Sequence, residues 1–460
     1  MFEEKDIELL HEEIEKLIEE KKYPTTRNLL SDMEPADIAI LFEEFPPEDF
    51  TLLFRLLPKE LAAECFVEME TDMQQSLIEA FSDAELGYVV DKLFVDDTVD
   101  IIEEMPANMV KRILGQATPE KRVMINQLLH YPKDSAGSIM TTEFVELRPS
   151  ATVENAFKTI KETGLRQETI YTCYVTDAKR HLVGVVTVKD MLLGGEDAVI
   201  EDLMETAIVS VNTHDDKEDV ARALDKYDFL AIPVVDKENR LVGIVTFDDA
   251  MDVISEEDTE DIEKMAAILP SDKPYLKTGA FEIWKKRIPW LLLLMISATF
   301  TGQIIAGFED KLAAVSVLIA YIPMLMDTGG NSGSQASVTV IRGLSLDDIS
   351  FSDFFRVVWK EIRVSVICGA TLAAANFVKL YLVDRLLFGN VELTMPVISV
   401  ICLTLVVTVF VAKLVGATLP LLAQRIGFDP AVMASPFITT IVDAVSLLIY
   451  FQFASMILKL

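Results

Sequence analysis

Five long apolar stretches in the C-terminal half of this chain limit its fold more than any other feature. They cover residues 287–307, 312–340, 362–383, 396–422 and 431–458. A helix needs about 20 apolar residues to cross the roughly 30 Å hydrocarbon core of a bilayer. A spanning segment must also satisfy its backbone hydrogen bonds internally, which favours α-helices. Residues 285–460 are therefore predicted to form a membrane domain of five helices.

Basic residues mark the ends of these stretches that face the cytoplasm. The segment WKKRIPW precedes the first stretch, and further basic side chains lie around the loop between the second and third, at Arg342, Arg356, Lys360 and Arg363. Loops rich in Lys and Arg stay on the cytoplasmic side. The odd number of spans then predicts a multi-pass protein of the cytoplasmic membrane, with its N-terminus inside and its C-terminus outside.

The N-terminal half is strongly acidic. The chain carries 74 acidic residues against 41 Lys and Arg residues, and its formal net charge is -33. Such a surface repels nucleic acid phosphates, so no nucleic acid partner is expected. It attracts cations, although the same charge also serves simply to keep a soluble surface from associating. We predict a soluble cytoplasmic region with a cation as its natural partner.

The residue types that hold transition metals or catalyse reactions are scattered. The four cysteines and four histidines show no ligand spacing, which argues against a zinc site or a disulfide framework. The sequence has no glycine-rich phosphate loop of the P-loop type and no nucleophile-base pattern, so no enzyme is predicted.

Residues 1–135 show helix starts at nearly regular intervals. Pro or a capping residue followed by acids recurs in FPPED, LPKE, ETDM, FSDAE, FVDD, MPANM and ATPEK. Such residues suit a helix N-terminus, where free amides and the helix dipole favour acidic caps. This pattern predicts an all-α superhelix of short stacked helices.

Residues 136–255 contain an internal repeat. HLVGVVTVKDML, which begins at His181, recurs as RLVGIVTFDDAM from Arg240, and each copy runs strand, helix, strand, turn, strand, helix. The shared pattern G-[VI]-V-T-x-x-D resembles that of a tandem pair of cystathionine-β-synthase (CBS) domains. The first α/β copy is expected at residues 136–203 and the second at 204–255.

The resemblance to CBS pairs implies a regulatory module with a cleft for an adenine nucleotide such as ATP. Thr187 with Asp190, and Thr246 with Asp249, match the hydroxyl and carboxylate positions that meet a ribose in that family. The alternative is that each Thr and Asp caps the following helix, and the two roles are compatible.

An acidic helical segment follows the repeat. The apolar side chains of MDVISEEDTEDIEKMAAILP, residues 251–270, form one stripe, and Pro270 and Pro274 end the pattern. Residues 256–284 are predicted to be an acidic connecting helix, through which any signal from the soluble half reaches the membrane.

The second apolar stretch contains a run of polar and small residues, YIPMLMDTGGNSGSQASVTVIRG. Its proline and glycines predict a broken or closely packed helix. Polar side chains at membrane depth need partners or water. We expect pathway-lining side chains here and in the last stretch, at Asn331, Ser334, Gln335, Thr439 and Thr440. The alternative is helix packing held together by side-chain hydrogen bonds.

The last stretch places one carboxylate, Asp443, among apolar and hydroxyl residues. A charge near the bilayer centre costs about 3 kcal/mol or more, and no Lys or Arg occurs in this stretch before Lys459. Its partner is therefore expected to be a cation from outside the chain. The structural alternative is a protonated or hydrogen-bonded acid buried against Asn331 or Gln335.

The pathway candidates offer carboxylate, amide, hydroxyl and carbonyl oxygens. This set suits hard divalent cations, and Mg²⁺ in particular keeps several waters while it contacts few carboxylates. Oxygen chemistry alone does not separate Mg²⁺ from Ca²⁺ or Mn²⁺.

The order of modules, the run PMLMDTGGNSGSQ and the run DPAVMASPFITTIVDA together resemble the MgtE family of magnesium channels or transporters. The resemblance implies a homodimer with a central pathway, in which Asp443 holds hydrated Mg²⁺, and a connecting helix that acts as a plug. It also implies intracellular Mg²⁺ sites between the domains. The matching acidic positions are Asp96, Asp100, Asp216, Glu218, Asp228, Asp249, Asp252, Glu257, Glu260 and Asp261.

On this interpretation the chain imports Mg²⁺, and Mg²⁺ bound to the acidic soluble half favours a closed state. The alternatives are a CBS-regulated transporter of another divalent cation or solute, and a membrane-anchored nucleotide sensor. A solute carrier would show paired basic or aromatic groups in a pocket at membrane depth, and none is expected from the sequence. A mere anchor would not require Asp443 or the polar run.

Overall fold

The computed structural model describes residues 4–271, 275–346, 348–433 and 435–459. The chain divides into two compact units, of which the first ends at Ile254 and the second begins at Ser255. This boundary falls inside one helix.

Short helices stacked at a regular interval form the N-terminal part of the first unit. They are α1 (Glu4–Glu19), α2 (Tyr23–Ser31), α3 (Pro35–Glu43), α4 (Pro47–Leu56), α5 (Lys59–Val67), α6 (Thr71–Ala80), α7 (Asp83–Lys92), α8 (Val95–Glu104), α9 (Ala107–Gln116) and α10 (Pro119–Leu128). From α3 onward each helix begins twelve residues after the one before it. The predicted helix starts are confirmed.

Local chemistry explains why the helices begin at these positions. Pro47 and Pro119 occupy first-turn positions that need no amide donor. Ser82 and Glu85 form a reciprocal capping box at the start of α7. Each helix buries an apolar face, and the resulting core continues into the second repeat.

Two three-stranded sheets follow the helices. The first repeat contains β1 (Phe144–Leu147), α11 (Val153–Thr163), β2 (Thr169–Thr176), β3 (Leu182–Thr187), α12 (Val188–Leu193) and α13 (Ile200–Leu203). The second contains β4 (Val211–Asn212), α14 (Lys217–Tyr227), β5 (Ala231–Val235) and β6 (Leu241–Thr246). In both sheets the first strand is parallel to the second and the second is antiparallel to the third. The predicted element order is confirmed.

The two repeats are joined by backbone hydrogen bonds between their equivalent segments. Thr141, which precedes the first repeat's strands, exchanges two bonds with Ile244 of β6, at 2.8 and 2.9 Å. Glu205 exchanges two bonds with Val185 of β3, at 2.8 and 3.0 Å. The hairpin turns also pair at His181 and Arg240. The repeats therefore form one pair.

The acidic helix α15 (Phe247–Met265) differs from the predicted connecting helix at 256–284. It starts directly after β6, inside the second repeat. It ends before Ala267, whose φ of 56° places the backbone in the left-handed region. The next helix begins only at Ala280.

Five long helices and one short helix make up most of the rest of the second unit in the described residues. They are α16 (Ala280–Gly307), α17 (Glu309–Ala314), α18 (Ile322–Ser345), α19 (Phe354–Val378), α20 (Met395–Arg425) and α21 (Ser435–Leu458). A π-helical segment, Lys379–Leu387, extends α19, and 3₁₀ turns precede α18, α19 and α21.

Within the described residues, four helical segments are long and apolar enough to cross a membrane. They are Ala280–Gly307, Phe351–Leu387, Met395–Arg425 and Pro430–Leu458. α18 is 24 residues long, but its polar run lowers its hydropathy. The predicted second span, 312–340, is wrong at its start, because α18 begins at Ile322 after a short helix and a 3₁₀ turn. The five-helix membrane domain stays a prediction.

Glycines let α18 pass unusually close to its neighbours, and the helix is continuous. An added Cβ at Gly329 would lie 2.7 Å from Thr408 of α20, and one at Gly330 would lie 2.9 Å from Thr439 of α21. An added Cβ at Gly416 of α20 would overlap the carbonyl oxygen of Gly333. Of the two predicted alternatives, close packing is the one observed.

We expect Gly416→Ala to destabilise the second unit by about 1–3 kcal/mol, because the methyl group meets backbone that has no rotamer to change. The matched control is Gly302→Ala in α16, where an added Cβ has no neighbour within 4 Å. Thermal unfolding of the full chain in detergent, followed by tryptophan fluorescence, compares the two. Equal melting temperatures for both variants would contradict the close crossing.

Candidate functional site

Asp443 lies on α21 directly after Val442 and one turn after Thr439, the two residues that pack on the glycines of α18. Val442 contacts Gly329, and Thr439 contacts Gly330. Asp443 is half-buried. It makes no hydrogen bond or ion pair with any part of the chain that the structure describes, but it lies near enough to Asp327 of α18 to experience its charge.

The structural alternative for Asp443 is a protonated or hydrogen-bonded acid against Asn331 or Gln335. The hydrogen bond is not observed within the described residues, and the protonated form stays an alternative. The structure also limits how Thr439 and Thr440 could line an ion pathway. Thr439 and Thr440 both donate to the carbonyl oxygen of Pro436, at 3.0 Å. Their hydroxyl protons are therefore occupied within α21.

A cavity of about 450 Å³ lies among α18, α19 and α20. Its polar lining includes Asp327, Asn331 and Gln335 of α18, Thr371 of α19 and Lys413 of α20. Two predicted pathway residues, Asn331 and Gln335, thus come together.

The remaining predicted pathway residues lie elsewhere. Ser334, Thr439, Thr440 and Asp443 are outside this lining, because they lie on other faces of α18 and α21. The structure therefore does not bring all the predicted pathway residues to a single surface of one chain.

The sequence interpretation missed Asp327 and Lys413. Lys413 is only 5% exposed. It is a single lysine, so the expectation of no paired basic or aromatic groups in a pocket stays a prediction. Lys413 was hidden in the run VFVAKLVGA, whose hydropathy is that of an ordinary span. Asp327 lies two residues before Gly329, and its position within a predicted span was the available signal.

A second group of acids lies in the first unit, where α8 meets the two repeats. It contains three predicted residues, Asp96 and Asp100 of α8 and Asp249 in the first turn of α15. Asp96 is 7% exposed, and its Oδ1 atom is buried without a hydrogen-bond partner. Asp249 accepts a hydrogen bond from the Thr246 hydroxyl.

Three further acids complete this acidic cluster, which we define as Asp96, Asp97, Asp100, Glu143, Glu168 and Asp249. Glu143 accepts a hydrogen bond from the Val95 amide at 2.8 Å, which ties the first repeat to the start of α8. One carboxylate oxygen of Glu168 is buried without a partner. Glu143 and Glu168 precede strands in irregular segments, so no periodicity pointed to them.

Burial and mutual repulsion make the acidic cluster costly to ionise. Burial, followed by the charges of Asp249 and Asp97, raises the pKa of Asp100 to about 7. Burial is also the main cause that raises the pKa of Asp249 to about 6 and that of Glu168 to about 8. The pKa of Asp96 is raised well above its usual value by burial and by Asp97.

The other predicted sensor acids do not join this cluster. Asp216 caps α14 by accepting from the Glu218 amide at 2.9 Å, and Glu218 pairs with Arg222. Asp228 ends the same helix in the left-handed conformation, and it is exposed. Asp252 is exposed and Glu257 half-buried along α15.

The last turns of α15 contact the C-terminal end of α18 and the segment that precedes α21. Asp261 accepts a hydrogen bond from the Ser345 hydroxyl at 3.0 Å. Lys264 pairs with Glu260 and lies 2.6 Å from Asp429, which precedes α21. Burial would lower the pKa of Lys264, but the bonds to Asp429 and Glu260 outweigh it and raise the pKa. Lys264, Ser345 and Asp429 were not predicted.

The four predicted nucleotide positions cap helices. The Thr187 hydroxyl and Asp190 form a capping box at the start of α12, with the Thr187 hydroxyl donating to Asp190 at 2.5 Å. Thr246 and Asp249 are bonded in the same way at the start of α15. These contacts confirm the capping role of the four residues. The nucleotide role, which is compatible with capping, stays a prediction.

The chemistry of the acidic cluster fits a hard divalent cation better than a transition metal. Its donors are carboxylates, and Mg²⁺ binds such groups directly or through its waters. Among the described residues, no three Asp, Glu, His or Cys side chains converge at the spacing of a formed metal site. The unpartnered oxygens of Asp96 and Glu168 would therefore have to move toward a cation or meet its water shell.

Known sequence families match three parts of the chain. A family described as divalent cation transporter matches residues 322–453, and the MgtE intracellular N domain matches residues 33–134. CBS domains match residues 136–194 and 200–256, which confirms the predicted pair.

Curated relatives match over nearly the whole chain. It is 35% identical over 450 residues to Magnesium transporter MgtE of Thermus thermophilus, covering 97% of this chain and 98% of that protein. It is 33% identical over 440 residues to Magnesium transporter MgtE of Bacillus subtilis, covering 95% of each.

Two solved structures resemble the first unit. The cytosolic domain of the Mg²⁺ channel MgtE in complex with ATP has a TM-score of 0.50 and 32% identity, covering 52% of this chain and 98% of that chain. The soluble part of a magnesium transporter has a TM-score of 0.51 and 30% identity, covering 55% and 99%.

The raised pKa values predict that the cation-free acidic cluster loses stability as the pH rises from about 4 to about 8. In this range the folded state holds protons that the unfolded chain has already released. Because Mg²⁺ competes with those protons, it should protect α8 more at about pH 8.5 than at about pH 6. Hydrogen exchange of peptides from Val95–Glu104, with and without Mg²⁺ at each pH, measures this.

The variant Asp96→Asn should lose most of the protection by Mg²⁺. The matched control is Glu79→Gln, an exposed acid on α6. Equal protection by Mg²⁺ at both pH values, or full protection in Asp96→Asn, would contradict a cation at this cluster.

Proposed function

The chain belongs to the MgtE family of divalent cation transporters, and we propose that it imports Mg²⁺ through a homodimeric channel that intracellular Mg²⁺ closes. The observation that carries the proposal is Asp443, a carboxylate within an apolar helix that has no cationic partner in the described chain. The names of the Thermus thermophilus and Bacillus subtilis relatives support Mg²⁺ as the transported ion. They are named as transporters, and we infer no enzymatic role.

The ion pathway follows from the cost of leaving Asp443 without a counter-charge. A hydrated divalent cation supplies that charge and, because it keeps several waters, needs only one carboxylate from each chain. In a homodimer, two Asp443 side chains about one axis would offset one Mg²⁺ ion. The membrane potential drives inward movement with about 4.6 kcal/mol per divalent ion for each 100 mV.

The acidic cluster serves as the sensor in this proposal. Its carboxylates repel one another when cation-free, and bound Mg²⁺ would stabilise the compact arrangement of α8 with the repeats. The other predicted acids, Asp216, Glu218, Asp228, Asp252 and Glu257, extend the negative surface that attracts the ion. The effect on opening is limited by the difference in Mg²⁺ affinity between the two states.

The helix α15 is the connection between sensor and pathway. It carries Asp249 in its first turn and Lys264 in its last turn. The contacts of Asp261 with Ser345 and of Lys264 with Asp429 support a plug role, because they hold the helix at the cytoplasmic ends of α18 and α21. With these helix ends in the cytoplasm, the proposed topology has a cytoplasmic N-terminus and a C-terminus outside the cell.

Nucleotide regulation is a further part of the proposal. The solved relative in complex with ATP supports an adenine nucleotide on the CBS pair, with Thr187 and Asp190 as the contact positions. Thr246 and Asp249 are the equivalent pair, and Asp249 also belongs to the acidic cluster. Nucleotide and Mg²⁺ binding at Asp249 would then influence each other.

We expect Asp443→Ala and Asp443→Asn to reduce Mg²⁺ flux roughly tenfold or more, since each 1.4 kcal/mol of lost ion stabilisation corresponds to a factor of ten. Flux is measured with purified protein in liposomes, with Ca²⁺, Mn²⁺ and Co²⁺ in parallel. The matched control is Asp384→Asn, which removes a carboxylate already paired with Lys379 at 2.9 Å.

Unimpaired Mg²⁺ flux in both Asp443 variants would exclude the pore role. If the protein carried another divalent cation in preference to Mg²⁺, a transporter of that cation would replace the proposed Mg²⁺ channel as the interpretation. If the wild-type protein gave no flux of any cation, the membrane-anchored nucleotide sensor would be the better interpretation.

We expect Lys264→Met to keep the channel open at Mg²⁺ concentrations that close the wild type, because Glu260 and Asp429 would then repel each other. At saturating cytoplasmic-side Mg²⁺ the flux should rise roughly fivefold, the low end of typical coupling between sites. The control Lys264→Arg keeps the charge and should close normally. Unchanged closure in Lys264→Met would reject this contact as part of the gate.

A further inference from the structure

Of the described residues that line the cavity among α18, α19 and α20, Lys413 is the one with a basic side chain. It lies twelve residues before the end of α20 at Arg425, which corresponds to about 18 Å along the helix. A lysine side chain is too short to reach the headgroup region from that depth. Its ammonium group must therefore find its counter-charge or its water inside the protein.

Asp327 is the acid in the same cavity. The two side chains line the same cavity and form no salt bridge within the described residues. Amide and hydroxyl groups of Asn331, Gln335 and Thr371 share the lining. Such groups can hydrogen-bond to water molecules that bridge the Asp327 carboxylate and the Lys413 ammonium group. The two opposite charges also attract each other through the cavity.

Asp327 also lies near Asp443, because Gly329, two residues after Asp327, packs on Val442, the residue before Asp443. Asp327 therefore has Lys413 across the cavity on one side and the carboxylate of Asp443 on the other. Together the three side chains carry one net negative charge per chain. Without Lys413 the same region would carry two.

We propose that Lys413 sets the charge of the ion pathway by offsetting Asp327, so that Asp443 alone determines how strongly each chain holds the ion. This inference rests on the proposed function. In a homodimer the two net negative charges match one divalent cation. Conduction needs binding that is favourable for entering ions but weak enough for them to leave. Lys413 thus keeps the affinity of the pathway for the ion within that range.

The test compares four forms of the full-length protein in liposomes: wild type, Lys413→Met, Asp327→Asn and the double variant. Lys413→Met should lower the Mg²⁺ concentration for half-maximal flux and reduce the maximal flux, each by roughly tenfold for 1.4 kcal/mol of added ion binding. The double variant restores the net charge and should regain most of the wild-type flux. Lys413→Arg, which keeps the charge, should resemble the wild type.

The result that overturns the proposal is a double variant with the same defect as Lys413→Met, or a Lys413→Met variant with wild-type kinetics. If Lys413→Met fails to assemble, as judged by size-exclusion chromatography, the double variant decides. An assembled double variant with flux near wild type supports the offset of charges, and one without flux rejects it. Wild-type flux in the same liposomes separates this outcome from failure of the proposed function, which would abolish Mg²⁺ flux in every form.

Discussion

Carboxylates that are withdrawn from water without an ion pair are the constraint on which both halves of this chain depend. Asp96 in α8 is buried and Asp443 in α21 is half-buried, and neither forms an ion pair within the described residues, although one lies in the first unit and the other in an apolar helix. Withdrawing a carboxylate from water without pairing it is unfavourable. A cation relieves this cost at either place. The same ion can therefore be both cargo and signal, because both sites present the same kind of unmet charge.

The close approach of α18 to α20 and α21 makes the polar run of α18 compatible with an apolar surrounding. Gly329, Gly330 and Gly333 use one side of the helix for backbone contact, so Asp327, Asn331 and Gln335 are left on another side. Larger residues at the glycines would separate the helices and open the polar side to lipid. The small residues and the polar residues of this run are thus parts of one arrangement.

Local signals in the sequence predicted the short helices, the repeat and most of the long helices correctly. Helix caps and β-branched runs act over a few residues, which is why Ser82 and the paired hairpins could be recognised. The start of α18 at Ile322 could not, since residues 312–321 are as apolar as a span but fold as a short helix and a 3₁₀ turn. Contacts between distant residues were also missed, as with Glu143 and Val95. Lys413 was concealed because a single lysine barely changes the hydropathy of α20.

The twelve-residue period of the N-terminal helices has a mechanical consequence. Most of these helices pack on the second one along, as α3 does on α5 and α8 on α10, so the array behaves as a chain of near-neighbour contacts. Near-neighbour coupling of this kind confines the effect of fraying at α1 to the next few helices. The acidic cluster lies many helices further along this array, where α8 is also bonded to Glu143. We therefore expect local unfolding at α1 to leave the proposed ion-binding cluster in register.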